Sequence, residues 1–213
     1  LDAESSSPSS RGVGKAPASL NILILGGTGF TGPEQVDYAI ARGHRVTLFN
    51  RGRTRPGMFK GKVAEELIGD LNSDTSALKG KKFDVVLDNP TTFPYWARNA
   101  AQYLEGNVGH YFFISTMSVY NDNSVPNKDE SDGTTPMPDG VDPYTTVREN
   151  AGKYYGALKT FSEQEVAKHY GKAYTIVRPG LIVGPLDRSD RFTYWPVRID
   201  RGGEVLSPGT PND

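Results

Sequence analysis

The sequence predicts an α/β protein built on a doubly wound parallel sheet, and two observations carry this prediction. The first is an apolar stretch, Ile22 to Leu25, that ends abruptly in glycines and is followed by a helical pattern from Pro33 to Arg42. The second is that apolar strand-like stretches alternate with helical ones along the rest of the chain. Continuous apolar strands separated by helices are typical of a parallel sheet that is covered on both faces.

The predicted elements follow one another in a regular order. The predicted strands are 20–25, 45–49, 65–68, 83–87, 111–114 and 173–177, and the predicted helices are 33–42, 95–104 and 154–170. The stretch 121–143 is rich in Pro, Gly and Asp and predicts a long loop, which in compact domains is usually functional or mobile. We therefore expect a dinucleotide-binding domain over 20–178, of the Rossmann-like α/β/α type, and the start of a substrate-binding region over 179–213.

Composition narrows the class of protein. The 213 residues are sufficient for one packed domain, and a mean hydropathy of −0.51 with no membrane-length apolar run indicates a soluble chain. A net charge of −1 argues against a general nucleic-acid surface. Without cysteine, disulfides and thiolate zinc sites are excluded, and the three histidines lie far apart, so no metal is expected.

The first nineteen residues read as a disordered tail, because their Ser, Pro and Gly content cannot bury a core. They also lack the apolar centre of a signal peptide. The chain begins at Leu1, so an expression remnant and a processed export signal both remain open. A cytoplasmic location is expected, with export as the alternative.

The glycine cluster fits the spacing G-x-G-x-x-G as Gly27, Gly29 and Gly32. Glycine permits a tight turn and lets the backbone approach a pyrophosphate, while the helix that follows offers N–H donors to phosphate. The alternative is an ordinary strand-to-helix turn, which would not need three spaced glycines. The candidate cofactor-binding loop is Gly26, Gly27, Thr28, Gly29, Phe30, Thr31 and Gly32.

The end of the second strand reads Asn50-Arg51-Gly52-Arg53. Folds that bind NAD usually place a carboxylate there for the ribose hydroxyls, and none is present. A guanidinium suits a 2′-phosphate, so Asn50, Arg51 and Arg53 predict a preference for NADP over NAD. The alternative is that both arginines are solvated loop charges.

Tyr155 and Lys159 stand at positions i and i+4 of a predicted helix and so share a face. A nearby ammonium favours the phenolate and lowers the pKa of a tyrosine, which makes it a usable general acid or base. Tyr-x-x-x-Lys is frequent by chance, and the alternative is an ordinary helix surface.

A further candidate is the end of the buried strand 111–114, where the hydroxyl residues Ser115 and Thr116 follow. They would either contact a ligand at the carboxyl edge of the sheet or form a turn.

Together these motifs resemble those of the extended short-chain dehydrogenase/reductases of the NAD(P)-dependent epimerase/dehydratase type. The resemblance covers about residues 20 to 210. The matching segments are the glycine loop, Gly69-Asp70-Leu71, Ile114-Ser115-Thr116 through Val119-Tyr120, Tyr155 with Lys159, and Val177-Arg178-Pro179 through Pro185.

The resemblance implies the roles of individual residues. Thr116, Tyr155 and Lys159 take the catalytic positions, with Lys159 on the nicotinamide ribose and Tyr155 exchanging a proton with the substrate. Asp70 and Leu71 border the adenine, and Pro179 lies on the segment that runs past the nicotinamide. The implied substrate is a nucleotide-sugar or a related hydroxyl or carbonyl compound, and a homodimer is compatible with this interpretation.

Three departures from the family pattern bear on function. Met117 and Ser118 replace the Asp-Glu pair that sugar dehydratases carry after the catalytic threonine. Asp88 and Asn89 stand where family members have a small-residue turn around the cofactor, so we expect them as unusual neighbours of the cofactor. The alternative is a simple turn before Pro90. The family also continues well past the equivalent of Asp213, so we expect a truncated substrate lobe. The alternative function is a non-catalytic dinucleotide-binding sensor or an RNA-associated member of the atypical branch.

Overall fold

The computed structural model describes residues 12–206 except 123 and 125, together with residue 209. In this described part the chain forms one six-stranded sheet with the order β3-β2-β1-β4-β5-β6, and every neighbouring pair is parallel. The strands are β1 Asn21–Leu25, β2 Arg45–Asn50, β3 Glu65–Ile68, β4 Phe83–Asp88, β5 Val108–Ile114 and β6 Tyr174–Val177. The predicted doubly wound parallel sheet is confirmed.

The helices agree closely with the predicted ones. They are α1 Gly32–Arg42, α2 Pro94–Leu104, α3 Tyr155–Tyr170 and α4 Tyr194–Asp200, with short 3-10 helices at Ser76–Leu78, Met117–Val119 and Arg148–Asn150. Pro33 and Pro94 start the first two helices, where the missing N–H of proline costs no hydrogen bond. The sequence did not predict α4, because it has only seven residues, too few to show a helical period, and it contains Pro196.

Two apolar clusters cover the two faces of the sheet. Alternate residues of β1 belong to different clusters: Ile22 and Ile24 lie in one, and Leu23 and Leu25 lie in the other. The first cluster also holds Val36 of α1, whereas the second includes residues of α2 and α3. Because both faces are covered, the ends of the strands are the places where polar side chains and ligands can gather.

The chain divides into two compact units, one ending at Gly180 and one beginning at Leu181. The first contains the whole sheet with α1, α2 and α3. The second contains α4, where Arg198 donates to the carbonyl of Gly202 over 2.8 Å. No helix among the described residues has the length and apolar character needed to cross a membrane.

The predicted tail, 1–19, is described only from residue 12, and residues 1–11 lie outside the described part. Residues 12–19 form no helix or strand, yet hydrogen bonds join them to the end of α1. Ala16 donates its N–H to the carbonyl of Arg42 over 2.9 Å, and the Ser19 hydroxyl donates to the carbonyl of Gly43 over 2.8 Å.

Candidate dinucleotide and catalytic site

The turn from β1 to α1 is shaped by its glycines. Gly26 has a φ of +74°, in the left-handed region that favours glycine. The N–H of Gly29 donates to the carbonyl of Gly26 over 2.8 Å and closes a tight turn. The predicted strand, glycine turn and helix are therefore all present in the expected order.

The three motif glycines have different reasons to be glycine. A Cβ on Gly27 would lie 2.6 Å from Cδ2 of Leu48, and one on Gly32 would lie 2.5 Å from the carbonyl of Gly27. Close packing of the turn against β2 and α1 therefore requires both. A Cβ on Gly29 would meet only the carbonyl oxygen of Gly26, at 3.1 Å. The side of the loop at Gly29 is otherwise open, as a pyrophosphate would require.

The N-terminus of α1 is free of a side-chain cap. Thr31 occupies the capping position, but its side chain accepts no hydrogen bond from the first turn, and its hydroxyl lies 3.3 Å from Oδ1 of Asn89. Thr28 is buried and Phe30 is half-buried beside it. An uncapped first turn keeps its N–H donors for an anion.

Asn89, predicted to adjoin the cofactor, is tied to the protein itself. Its amide exchanges two hydrogen bonds with the amide of Gln35, of 2.7 and 2.9 Å, and its Nδ2 donates to the carbonyl of Leu25 over 3.2 Å. These bonds join the end of β4 to α1. Asn89 thus helps to fix the position of the glycine loop, and its contact with a cofactor stays a prediction.

The end of β2 carries an unsatisfied polar atom. Oδ1 of Asn50 is buried and has no hydrogen-bond partner among the described residues, an arrangement that is rare in folded proteins. Arg51 and Arg53 are exposed. Arg55, which no sequence motif predicts as a site residue, donates hydrogen bonds from Nη1 to the carbonyls of Thr28 and Gly29. Both donor–acceptor distances are 3.0 Å.

The turn after β3 holds the two residues expected near the adenine. Asp70 accepts a hydrogen bond from the N–H of Asn72 over 2.9 Å and lies 3.8 Å from the guanidinium of Arg148. Leu71 is buried, and its carbonyl accepts from Nδ2 of Asn99 over 2.8 Å. Leu71 therefore belongs to the core, whereas the half-buried Asp70 is placed for polar contact.

The predicted catalytic residues gather at the carboxyl end of β5. Lys159 is buried, and its Nζ donates to the carbonyls of Thr91 and Ile114 over 2.6 and 2.7 Å. Thr116 follows Ile114 by two residues, and its Oγ1 accepts from the N–H of Ser118 over 3.2 Å. Tyr155 is exposed at the first turn of α3.

Gly156 explains how α3 comes so close to the segment after β5. A Cβ at this position would lie 2.1 Å from the carbonyl oxygen of Ser118. Only glycine allows this approach, and it brings Tyr155, the preceding residue, next to the 3-10 helix at Met117–Val119. Pro179, which follows β6, also contacts this segment, because its carbonyl accepts a hydrogen bond of 2.9 Å from the N–H of Met117.

Charge and burial compete at Lys159. Burial lowers the pKa of its ammonium to about 8, although the charges of Asp88 and Glu163 oppose this shift. Burial also raises the pKa of Asp88, against hydrogen bonds from the Tyr111 hydroxyl, 2.7 Å away, and from the N–H of Thr91, 3.2 Å away. Thr91 thus bonds both charged groups, through its N–H and its carbonyl.

A second buried ionic group lies beside the first. Glu163 of α3 accepts from Nε and Nη2 of Arg178 over 3.1 and 2.7 Å, and it also accepts from the hydroxyl of Ser115. The guanidinium stacks 5.0 Å from the ring centroid of Tyr120. Arg178 lies within the segment from Val177 to Pro185 that matches the family, but the sequence pattern predicts no role for it. Glu163 sits on the same helix face as Tyr155 and Lys159, at one further i+4 step, and this spacing could have revealed it.

Several solved structures share the fold of this chain. A UDP-galactose 4-epimerase structure superposes with a TM-score of 0.61 and 24% identity, covering 87% of this chain and 64% of its own. An epimerase-like protein from Burkholderia cenocepacia gives 0.63 and 20%, covering 85% and 60%. The Bordetella bronchiseptica enzyme WbmG, solved with NAD, gives 0.59 and 18%, covering 79% and 57%. The chain has the fold of the extended short-chain dehydrogenase/reductases.

One curated relative extends the comparison. The chloroplast stem-loop binding protein of 41 kDa b from Arabidopsis thaliana is 26% identical over 92% of this chain and 50% of its own length. The chain thus spans about half of that relative and less than two thirds of the solved structures. No protein-family model matches the chain.

Proposed function

We propose that this chain binds a nicotinamide dinucleotide, NADP in preference to NAD, and acts as an oxidoreductase or epimerase on a nucleotide-sugar or related hydroxyl or carbonyl compound. One observation carries the proposal. Lys159 and Tyr155 lie one turn apart on α3, which Gly156 packs against the segment that carries Thr116.

The cofactor proposal rests on the fit of the loop to a pyrophosphate. The open side at Gly29, the uncapped first turn of α1 and the unpartnered Oδ1 of Asn50 all suit a dinucleotide across the ends of β1 and β2. The NADP preference rests on the absence of a carboxylate at Asn50 and on the arginines that follow, Arg51 and Arg53 among them.

The residues gathered at the end of β5 would transfer a proton to or from the substrate. When bound, the nicotinamide would supply or accept a hydride. Lys159, fixed by two carbonyls, would place its positive charge near the ribose and favour the phenolate of Tyr155. Tyr155 would exchange a proton with the substrate oxygen, and the Thr116 hydroxyl would hydrogen-bond the same oxygen.

The test of this role is Tyr155→Phe in the full chain. We expect turnover of nucleotide-sugars or ketones, followed by NAD(P)H absorbance, to fall about a hundredfold or more, because general acid–base catalysis is lost. Dinucleotide affinity, measured by calorimetry, stays close to that of the wild type.

Tyr154→Phe is the matched control. Tyr154 precedes α3, with its ring 5.0 Å from Nζ of Lys153, and its hydroxyl has no assigned role. Loss of activity in Tyr154→Phe alone would show that the wrong tyrosine was chosen. Full activity in both variants would favour the second candidate.

The second candidate is a dinucleotide-binding protein without catalysis, associated with RNA. The similarity to a stem-loop binding protein favours it. Binding of a stem-loop RNA that survives Tyr155→Phe, together with no turnover by the wild type, would establish this alternative.

A further inference from the structure

Arg55 links the two loops at the ends of β1 and β2. It belongs to the connection between Asn50 and Glu65, which is anchored in the core by the buried ring of Phe59. From this connection its Nη1 reaches two consecutive carbonyls of the glycine loop, those of Thr28 and Gly29. These contacts join residues 26 and 27 positions apart in sequence.

The backbone of Arg55 is held in an unfavourable conformation. Its φ is +45°, in the left-handed region that costs a non-glycine residue about 1 kcal/mol or more. The following Pro56 restricts it further. Gly52 and Gly57, on either side, adopt positive φ without this cost. A glycine at residue 55 would avoid this cost but could not make the guanidinium's contacts with Thr28 and Gly29.

The two carbonyl bonds leave most of the guanidinium's hydrogen-bonding capacity unspent. They involve Nη1 alone, and a guanidinium has three further N–H donors on Nη2 and Nε in a planar fork. A fork of this kind matches a phosphate with two parallel hydrogen bonds. The carbonyl of Gly29 also shares its peptide group with the N–H of Phe30, so the cation polarises that N–H as a donor for an anion.

The position of Arg55 suits one particular anion, a phosphate on the 2′-oxygen of the adenine ribose. In this fold the ribose that carries the adenine lies at the end of the second strand, where a carboxylate selects a free 2′-hydroxyl. Here the strand ends in Asn50, and the guanidinium of Arg55 lies against the neighbouring glycine loop. Neither Arg51 nor Arg53 hydrogen-bonds to the glycine loop within the described residues, and both are exposed.

We propose that Arg55 is the residue that selects a dinucleotide with a 2′-phosphate, and that it does so from a position fixed by Thr28 and Gly29. This inference rests on the proposed dinucleotide function. It assigns the specificity to the arginine that contacts the phosphate-binding loop, rather than to the two arginines that directly follow β2.

The experiment measures binding, independently of catalysis. NADP and NAD, which differ only in the 2′-phosphate, are titrated calorimetrically into the wild type, Arg55→Ala and Arg55→Lys. We expect Arg55→Ala to weaken NADP binding about ten- to hundredfold, the range for charge-assisted hydrogen bonds, and to change NAD binding less than about threefold. Arg55→Lys keeps the charge without the fork and falls between the wild type and Arg55→Ala.

Lys60→Ala is the matched control, because it removes a positive charge from the same connection at an exposed position. It leaves both affinities unchanged if location rather than net charge matters. Thermal unfolding without ligand verifies that each variant folds, and Arg55→Lys decides the question if Arg55→Ala does not fold.

Two other outcomes would overturn the proposal, and they differ from a failure of the proposed function. If Arg55→Ala weakens NADP and NAD by the same factor, Arg55 only holds the loop. If it weakens neither, Arg55 has no part in binding. A wild type that binds neither dinucleotide would instead refute the dinucleotide function itself, and with it this inference.

Discussion

The two ends of the candidate site are built in opposite ways. At the ends of β1 and β2 the chain has glycines instead of residues with side chains, so that a glycine loop and an uncapped helix present backbone N–H groups. At the ends of β4, β5 and β6 it has packed charged side chains together and paired them. The paired groups are Asp88 with Tyr111, Lys159 with two carbonyls, and Glu163 with Ser115 and Arg178.

This difference predicts how each end responds to mutation. The glycine end should be sensitive to added atoms at Gly27 and Gly32, where there is no room for them. The polar end should be sensitive to removed charges, because their partners would remain buried.

Glu163→Gln should have the largest effect on stability. The carboxylate and guanidinium side chains are only 6% and 15% exposed, and Nη1 of Arg178 already has no partner among the described residues. Removing the negative charge leaves a buried cation, which costs about 3 to 5 kcal/mol of unfolding free energy. Urea unfolding measures it.

Glu65→Gln is the control for that prediction. Glu65 pairs with Lys81 over 2.6 Å, but these side chains are 38% and 33% exposed. Solvent screening limits the loss to less than about 1 kcal/mol. Equal losses in the two variants would show that burial does not distinguish these ion pairs.

Gly32→Ala tests the opposite end. Its Cβ would lie 2.5 Å from the backbone of Gly27, which cannot move as a flexible side chain could. We expect a loss of about 3 kcal/mol, the upper part of the range for overpacking, measured by urea unfolding.

Gly29→Ala separates packing from binding at the same loop. Its Cβ would meet only one oxygen, at 3.1 Å. We expect stability within about 0.5 kcal/mol of the wild type and a clear loss of dinucleotide affinity, since the methyl group enters the proposed pyrophosphate site. A variant that binds as well as the wild type would contradict that placement.

Lys159 gives an effect on stability that depends on pH. The folded chain releases its proton at a pKa of about 8, whereas the unfolded chain keeps it to about 10.5. Between these values the unfolded state binds more protons, so the stability of the wild type rises with pH. Relative to Lys159→Met, the wild type should gain about 1.6 kcal/mol from pH 8 to pH 9.5, because the slope stays below the limit of about 1.4 kcal/mol per unit at both ends of this window.

Urea unfolding of both proteins at each pH measures this gain. Comparing the two proteins cancels the contributions of groups that titrate alike in both, such as the buried tyrosines. A difference that stays constant across the window would show that Lys159 is not desolvated in the folded chain.

The sequence predicted every strand of the sheet and the three longer helices in their order, but not α4. Alternating apolar stretches and the glycine spacing are local signals, and every predicted strand appears in the sheet. It also selected Thr116, Tyr155 and Lys159, which the fold brings to the end of β5. Their catalytic role stays a prediction, because spacing along a helix places two side chains on one face without specifying what they contact.

The pairing of the polar groups depends on the tertiary fold. Lys159 bonds to Thr91, 68 positions away, and Arg55 bonds to Thr28, 27 positions away. Neither partner shares an element or a periodic pattern with the residue it binds, so no local signal could identify it. These pairs exist because the carboxyl ends of parallel strands meet at one edge, where burial makes an unpaired charge costly and so requires a partner.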